Sequence, residues 1–153
     1  MNVYLELIKQ ARKELSFADH ITHVTLPIVK ERKVFMSIIR HLHDAMLAAM
    51  RAYLMYERKN KGIALLPTSN ELTFNMFLQF FGDKFLSKSD QEVLAEIKKV
   101  NEAYQKRLMD VKRGENYVII LPNYKTVIIN EGRVKKYLNV VNLLISGIER
   151  VIG

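Results

Sequence analysis

Four histidines are the first residues in this chain able to do chemistry. Imidazole gains and loses a proton near neutrality and is the commonest nitrogen ligand for metals. His20 and His23 stand three apart with Asp19 beside them, and His41 and His43 stand two apart with Asp44 beside them. If the segments before and after Pro27 form a helical hairpin turning near residue 29, His20 faces position 38 and His41 lies one turn further on, so the two pairs converge. A zinc centre needs three or four such ligands inside a dry shell. No His-Glu-x-x-His spacing occurs, and two partly exposed His pairs on amphipathic helices explain the same residues. No metal ligand, catalytic residue or cofactor is assigned on this basis.

Other chemistries are excluded residue by residue. The chain has no cysteine, which removes disulfides, a thiolate nucleophile and every cysteine-based metal site. Asp90, Glu92 and Glu96 cluster at a helix start, where the helix dipole accounts for them. Neither Gly-x-Gly-x-x-Gly nor Gly-x-x-x-x-Gly-Lys is present, so no loop is built to cradle phosphates, and there is no Gly-x-Ser-x-Gly elbow.

The basic residues carry more. Lys+Arg number 24 against 16 Asp+Glu, a net charge of +8. The excess is uneven: residues 1–61 hold 11 basic and 6 acidic side chains, residues 62–115 hold 8 of each, and residues 116–153 hold 5 and 2. Lys30, Arg32 and Lys33 crowd the start of the second helix, while Arg58, Lys59 and Lys61 crowd its end about 40 Å away at 1.5 Å per residue. Lys112, Arg113, Lys135 and Lys136 flank a hairpin, with Tyr117, Tyr124 and Tyr137 interleaved. Phosphates attract such cations and bases stack on such rings. Lys30, Arg32, Lys33, Lys112, Arg113, Lys135 and Lys136 are therefore the candidate nucleic-acid contacts. The competing account is a solvated face whose charge keeps a small domain soluble.

The elements that position these groups follow from periodicity. At 153 residues and 49% hydrophobic, the chain suits one domain with a sizeable core. Residues 3–26 repeat apolar side chains at steps of three and four and read as a helix that Pro27 interrupts. Residues 31–59 form a second helix with an unusually wide apolar stripe, closed by cations and Gly62. Thr68-Ser69-Asn70-Glu71 is a capping box for a phenylalanine-rich third helix ending near Gly82-Asp83, and Ser89-Asp90-Gln91-Glu92 is one for a fourth helix reaching Lys112 with Val111 and Leu108 on its apolar face. Residues 117–121 and 126–129 are β-branched and aromatic about a Pro122-Asn123-Tyr124-Lys125 turn, which makes a β-hairpin. Asn130-Glu131 opens the last helix. The expected fold is mainly α: a single domain, residues 1–153, made of a five-helix bundle with a small β-hairpin before the last helix.

This layout resembles the HEPN-like helical domains of prokaryotes. The stretch Ala11-Arg12-Lys13-Glu14-Leu15-Ser16-Phe17-Ala18-Asp19-His20 through Val24-Thr25-Leu26 is similar to the first helix of small archaeal helical proteins. The resemblance implies a helical, often dimeric domain. Many members of that family are metal-independent endoribonucleases that use an Arg followed four to six residues later by His. No Arg here is followed by His at that spacing, and the last helix has no histidine, so no catalytic residue carries over. The reading from sequence is a non-catalytic, cytoplasmic binding module contacting RNA, a ribonucleoprotein or another polyanion. It is expected to pair with itself or another protein through the wide apolar face of the second helix and the apolar last helix. The alternative is a HEPN-type endoribonuclease with an irregular site built from Arg40, His41, His43 and His20.

Overall fold

A computed structural model gives the architecture and describes residues 2–62, 66–106 and 110–153. Five α-helices run α1 Val3–His20, α2 Arg32–Lys61, α3 Asn70–Phe85, α4 Lys88–Gln105 and α5 Glu131–Ile152. Three strands, β1 Asp110–Arg113, β2 Asn116–Ile120 and β3 Thr126–Ile129, form an antiparallel sheet in that order ahead of α5. The mainly helical fold with a small sheet before the last helix is as the periodicity dictates.

The 30-residue α2 is the axis of the molecule and packs against all four other helices. Its stripe from Phe35 to Leu54 is buried over more than half the helix circumference, which explains its width in sequence. Ile8, Ala11, Leu15 and Ala18 of α1 lie on it at helical spacing. Tyr53, Phe77, Phe35 and Tyr137 are the largest fully buried side chains. Burying a large apolar side chain is worth about 1.5–3 kcal/mol, so these rings set the order in which the elements can pack. The dimer surface expected on α2 and α5 is consumed within the chain: Ile38, Ile39, Met46 and Met50 of α2 and Val141, Leu144, Ile145 and Ile148 of α5 are closed to solvent.

The helix ends follow local chemistry. After His20 the chain widens into a π turn, Ile21–Thr25, in which the Leu26 amide donates to Ile21 O at 2.8 Å. Pro27 has no amide to continue the ladder, so the helix stops there. Gly62 closes α2 at φ 71°, a left-handed cap that glycine adopts without a Cβ clash. Asn130 caps α5 by accepting from the Arg133 amide at 2.9 Å.

Three expectations are corrected. First, the hairpin is a three-stranded sheet. The fourth helix ends at Gln105, and the residues placed on its last turns pair instead as a strand, with Val111 opposite Val118 and Lys112 opposite Tyr117. Gly114 at φ 62° makes the reversal that joins β1 to β2. Leu108 lies outside the described residues. Second, α3 continues past Gly82 to Phe85. Gly82 is there for close packing: a Cβ on it would stand 2.5 Å from Gln91 Oε1. Third, the caps of α3 and α4 are Ser69 and Ser87, which accept from the Leu72 and Asp90 amides at 3.1 Å each.

Candidate nucleic-acid interface

The starts of α2 and α5 and the β1–β2 turn meet at one end of the bundle. The contacts that join them are ionic. Lys30 lies 3.6 Å from Glu115 and 3.7 Å from Glu131, and Lys135 lies 3.3 Å from Glu131. The Arg32 guanidinium pairs with Asp110 on β1 and sits over the Tyr104 ring, 4.8 Å from its centroid. Lys33 stands 4.0 Å from Glu31. Lys30, Arg32 and Lys135, which the sequence keeps far apart, are thereby brought to one surface region. Arg113 adjoins it through the turn that carries Glu115, and Lys112 precedes Arg113 on β1.

Their charges are unequally available. Among the described residues, no carboxylate lies within 4.0 Å of Lys112, Arg113 or Lys136. Lys112 instead rests over the Tyr117 ring, 5.8 Å from its centroid. The four cations that do have a carboxylate partner hold it at the surface, where such pairs are worth about 0–1 kcal/mol and yield to a stronger anion. The first turn of α2 carries Arg32 and Lys33 and no acidic residue. Cations at the positive end of a helix dipole work against helix stability, which Glu31 at the N-cap and the Arg32–Asp110 pair offset.

The tyrosines divide sharply. Tyr117 and Tyr137 are 6% and 0% exposed and belong to the core, whereas Tyr124 is 89% exposed at the β2–β3 turn. Tyr137 is a structural group. Its hydroxyl donates to Glu96, which also receives the Arg133 guanidinium on two oxygens at 2.8 and 2.6 Å. Burial first, and then the neighbouring carboxylate, push the Tyr137 hydroxyl well above the usual tyrosine range, and Glu96 raises Arg133. This network fixes the first turns of α5, and with them Lys135 and Lys136, against α4.

The histidines do not gather. His23 Nδ1 meets its own neighbour Asp19, at 3.1 Å from the carboxylate. His41 Nδ1 lies 2.5 Å from Glu14 Oε2, across the seam between α1 and α2. His43 is two residues on, some 200° round the helix, and its buried Nδ1 has no hydrogen-bond partner among the described residues. No group of three metal-ligating side chains forms among the described residues. Of the irregular site of Arg40, His41, His43 and His20, His41 and His43 stand on different faces of α2. Glu14 is the partner that sequence reasoning passed over. A hairpin turning near residue 29 places it opposite position 44, so the geometry that paired the histidines already pointed to it.

No helix of the described residues is long and apolar enough to cross a membrane. Compared with protein-family models, with curated proteins and with solved structures, the chain matches none.

Proposed function

We propose that the chain is a non-catalytic helical binding module whose basic end contacts a polyanion, with RNA, free or within a ribonucleoprotein, as the partner. The observation that carries this reading is the meeting of Lys30, Arg32 and Lys135 at one end, with Lys112, Arg113 and Lys136 adjacent to them in the chain and lacking a carboxylate partner among the described residues. Phosphates binding there release counterions, so affinity falls with salt at a slope of about −0.7 per phosphate contact for a single strand.

Titration of a labelled oligoribonucleotide by fluorescence anisotropy at several salt concentrations tests it. The native protein binds at low salt with a steep salt dependence. The triple variant Lys112→Glu, Arg113→Glu, Lys136→Glu loses most of that affinity while keeping its helical circular dichroism. No binding at low salt, or binding indifferent to salt, sinks the reading.

A second reading, metal-independent endoribonuclease, draws on the Glu14–His41 pair. A carboxylate on Nδ1 orients an imidazole so that its Nε2 can act as a base. The Phe17 ring lies 5.5 Å from the His41 ring and is half exposed. Incubating native protein with RNA in chelator decides between the readings. Cleavage that His41→Ala abolishes supports the enzyme, and intact RNA supports the module.

A further inference from the structure

We infer that the outer face of the β-sheet is a platform for single-stranded RNA, with Tyr124 as the ring on which one base stacks; this rests on the binding reading above and specifies the form of the polyanion. The register divides the sheet into two faces. Tyr117, Ile119, Val127 and Ile129 point inward and are buried. Val111, Val118 and Ile128 stand in one row across the three strands and point outward, as do Arg113, Ile120 and Thr126. Val111 and Ile128 are 39% and 50% exposed.

Charge selects the occupant. Among the described residues, the outward strand positions carry no carboxylate, and Glu115 in the β1–β2 turn is drawn to Lys30 at 3.6 Å. Arg113 stands at one end of it and Lys125 at the turn beyond the other, with about 13 Å of β2 between them at 3.3 Å per residue. A strand of nucleic acid laid across this face meets cations at both ends and aliphatic side chains between. An RNA duplex would not use such a surface, because its bases are stacked inside and it offers only phosphates, hydroxyls and base edges. Unstacked bases do use it, since each has an apolar face.

Tyr124 is built to be presented. It adopts φ 63°, a left-handed conformation uncommon for a residue with a Cβ. Three hydrogen bonds hold it there. Its amide donates to Leu121 O at 2.9 Å, the Leu121 amide donates to Lys125 O at 2.8 Å, and the Lys125 amide donates to Asn123 Oδ1 at 3.2 Å. A bulky ring in a backbone state suited to glycine, on a fixed turn and turned to solvent, gains nothing for the fold.

The chain contains no tryptophan, so Tyr124→Trp creates a single reporter. Single-stranded oligoribonucleotide is expected to quench its emission in step with anisotropy, and the same RNA as a duplex is not. Tyr124→Gly suits the backbone and folds as well as native protein. It is expected to weaken single-strand binding at least fivefold, the equivalent of one stacked base, with the salt slope unchanged. Lys112→Ala with Arg113→Ala is expected to make the slope shallower by about 1.4. Unquenched tryptophan and native affinity in Tyr124→Gly overturn the platform while leaving the binding reading intact. Equal affinity for duplex overturns it too. Absence of any RNA binding sinks both. A self-associated native protein that Ile128→Glu makes monomeric gives this face to a second copy of the chain and overturns the platform alone.

Discussion

Tyr137 shows how much one hydroxyl can hold. Its ring is fully buried and its O–H reaches Glu96, the same carboxylate that grips Arg133. Tyr137→Phe keeps the ring and deletes that bond, so urea unfolding is expected to show a loss of about 1 kcal/mol. The pH dependence follows with a definite sign. In the unfolded chain tyrosines ionise near 10, whereas Tyr53 and Tyr137 in the folded protein hold their protons to higher pH, chiefly because they are buried and then because Glu57 and Glu96 lie beside them. The unfolded state therefore sheds protons first. The contribution of these tyrosines is whole below pH 10 and declines as pH rises above it. Unfolding followed from about pH 8 to pH 11 should show that decline, and Tyr137→Phe should make it shallower. An alkaline loss identical in both proteins would assign it to other groups. Tyr124 is the opposite case: relieving its left-handed backbone in Tyr124→Gly should leave stability unchanged or raise it by up to about 1 kcal/mol.

The elements were legible in sequence where one force dominated. Long amphipathic periods marked all five helices, because the apolar face of each is satisfied by α2 or the core around it. The caps were legible in kind but slipped by one or two residues. Ser69 was preferred to Thr68 and Ser87 to Ser89 by where the extended backbone ends, which the side-chain pattern does not record. β1 was illegible for a different reason. Val111 fits both the helix period of α4 and the alternation of a strand, and only pairing with β2 decides between them. Missing that strand hid the outward face, since a two-stranded hairpin has no row such as Val111, Val118 and Ile128. The α5 cap is the junction where sheet and bundle meet: Asn130 accepts from the Arg133 amide and donates to Asn116 Oδ1 at 3.1 Å. Asn130→Ala removes both bonds. It is expected to cost about 1–2 kcal/mol in thermal or urea unfolding, more than a solvent-exposed cap would, and a loss under about 0.5 kcal/mol would mean that the Asn116 bond contributes nothing.

At the scale of the whole molecule the proposed binding reading requires that one end, not both, meets the polyanion. Arg58, Lys59 and Lys61 close α2 about 40 Å from Lys30, Arg32 and Lys33 at 1.5 Å per residue. The two groups differ in kind. Cations in the last turn of a helix sit at the negative end of its dipole and stabilise it, and Lys61 also stands 3.6 Å from the buried Glu57. Those at the first turn of α2 oppose the dipole and gain nothing from it. Charge at the far end thus supports its own helix, while charge at the near end is held by carboxylates of other segments, Glu115, Glu131 and Asp110. Length then discriminates. A partner engaging both ends must span about 40 Å, which is some 12 base pairs of duplex at 3.4 Å each. A partner engaging the near end and the sheet needs only a short strand, within the range of about 4–16 nucleotides typical of a single small domain. Affinity for single-stranded oligoribonucleotides is therefore expected to rise steeply to about six nucleotides and to level off well before about 12. Arg58→Glu with Lys59→Glu should leave it nearly unchanged. An affinity that keeps rising with length, and that falls with the far-end substitutions, would make the whole long side of the bundle the contact surface.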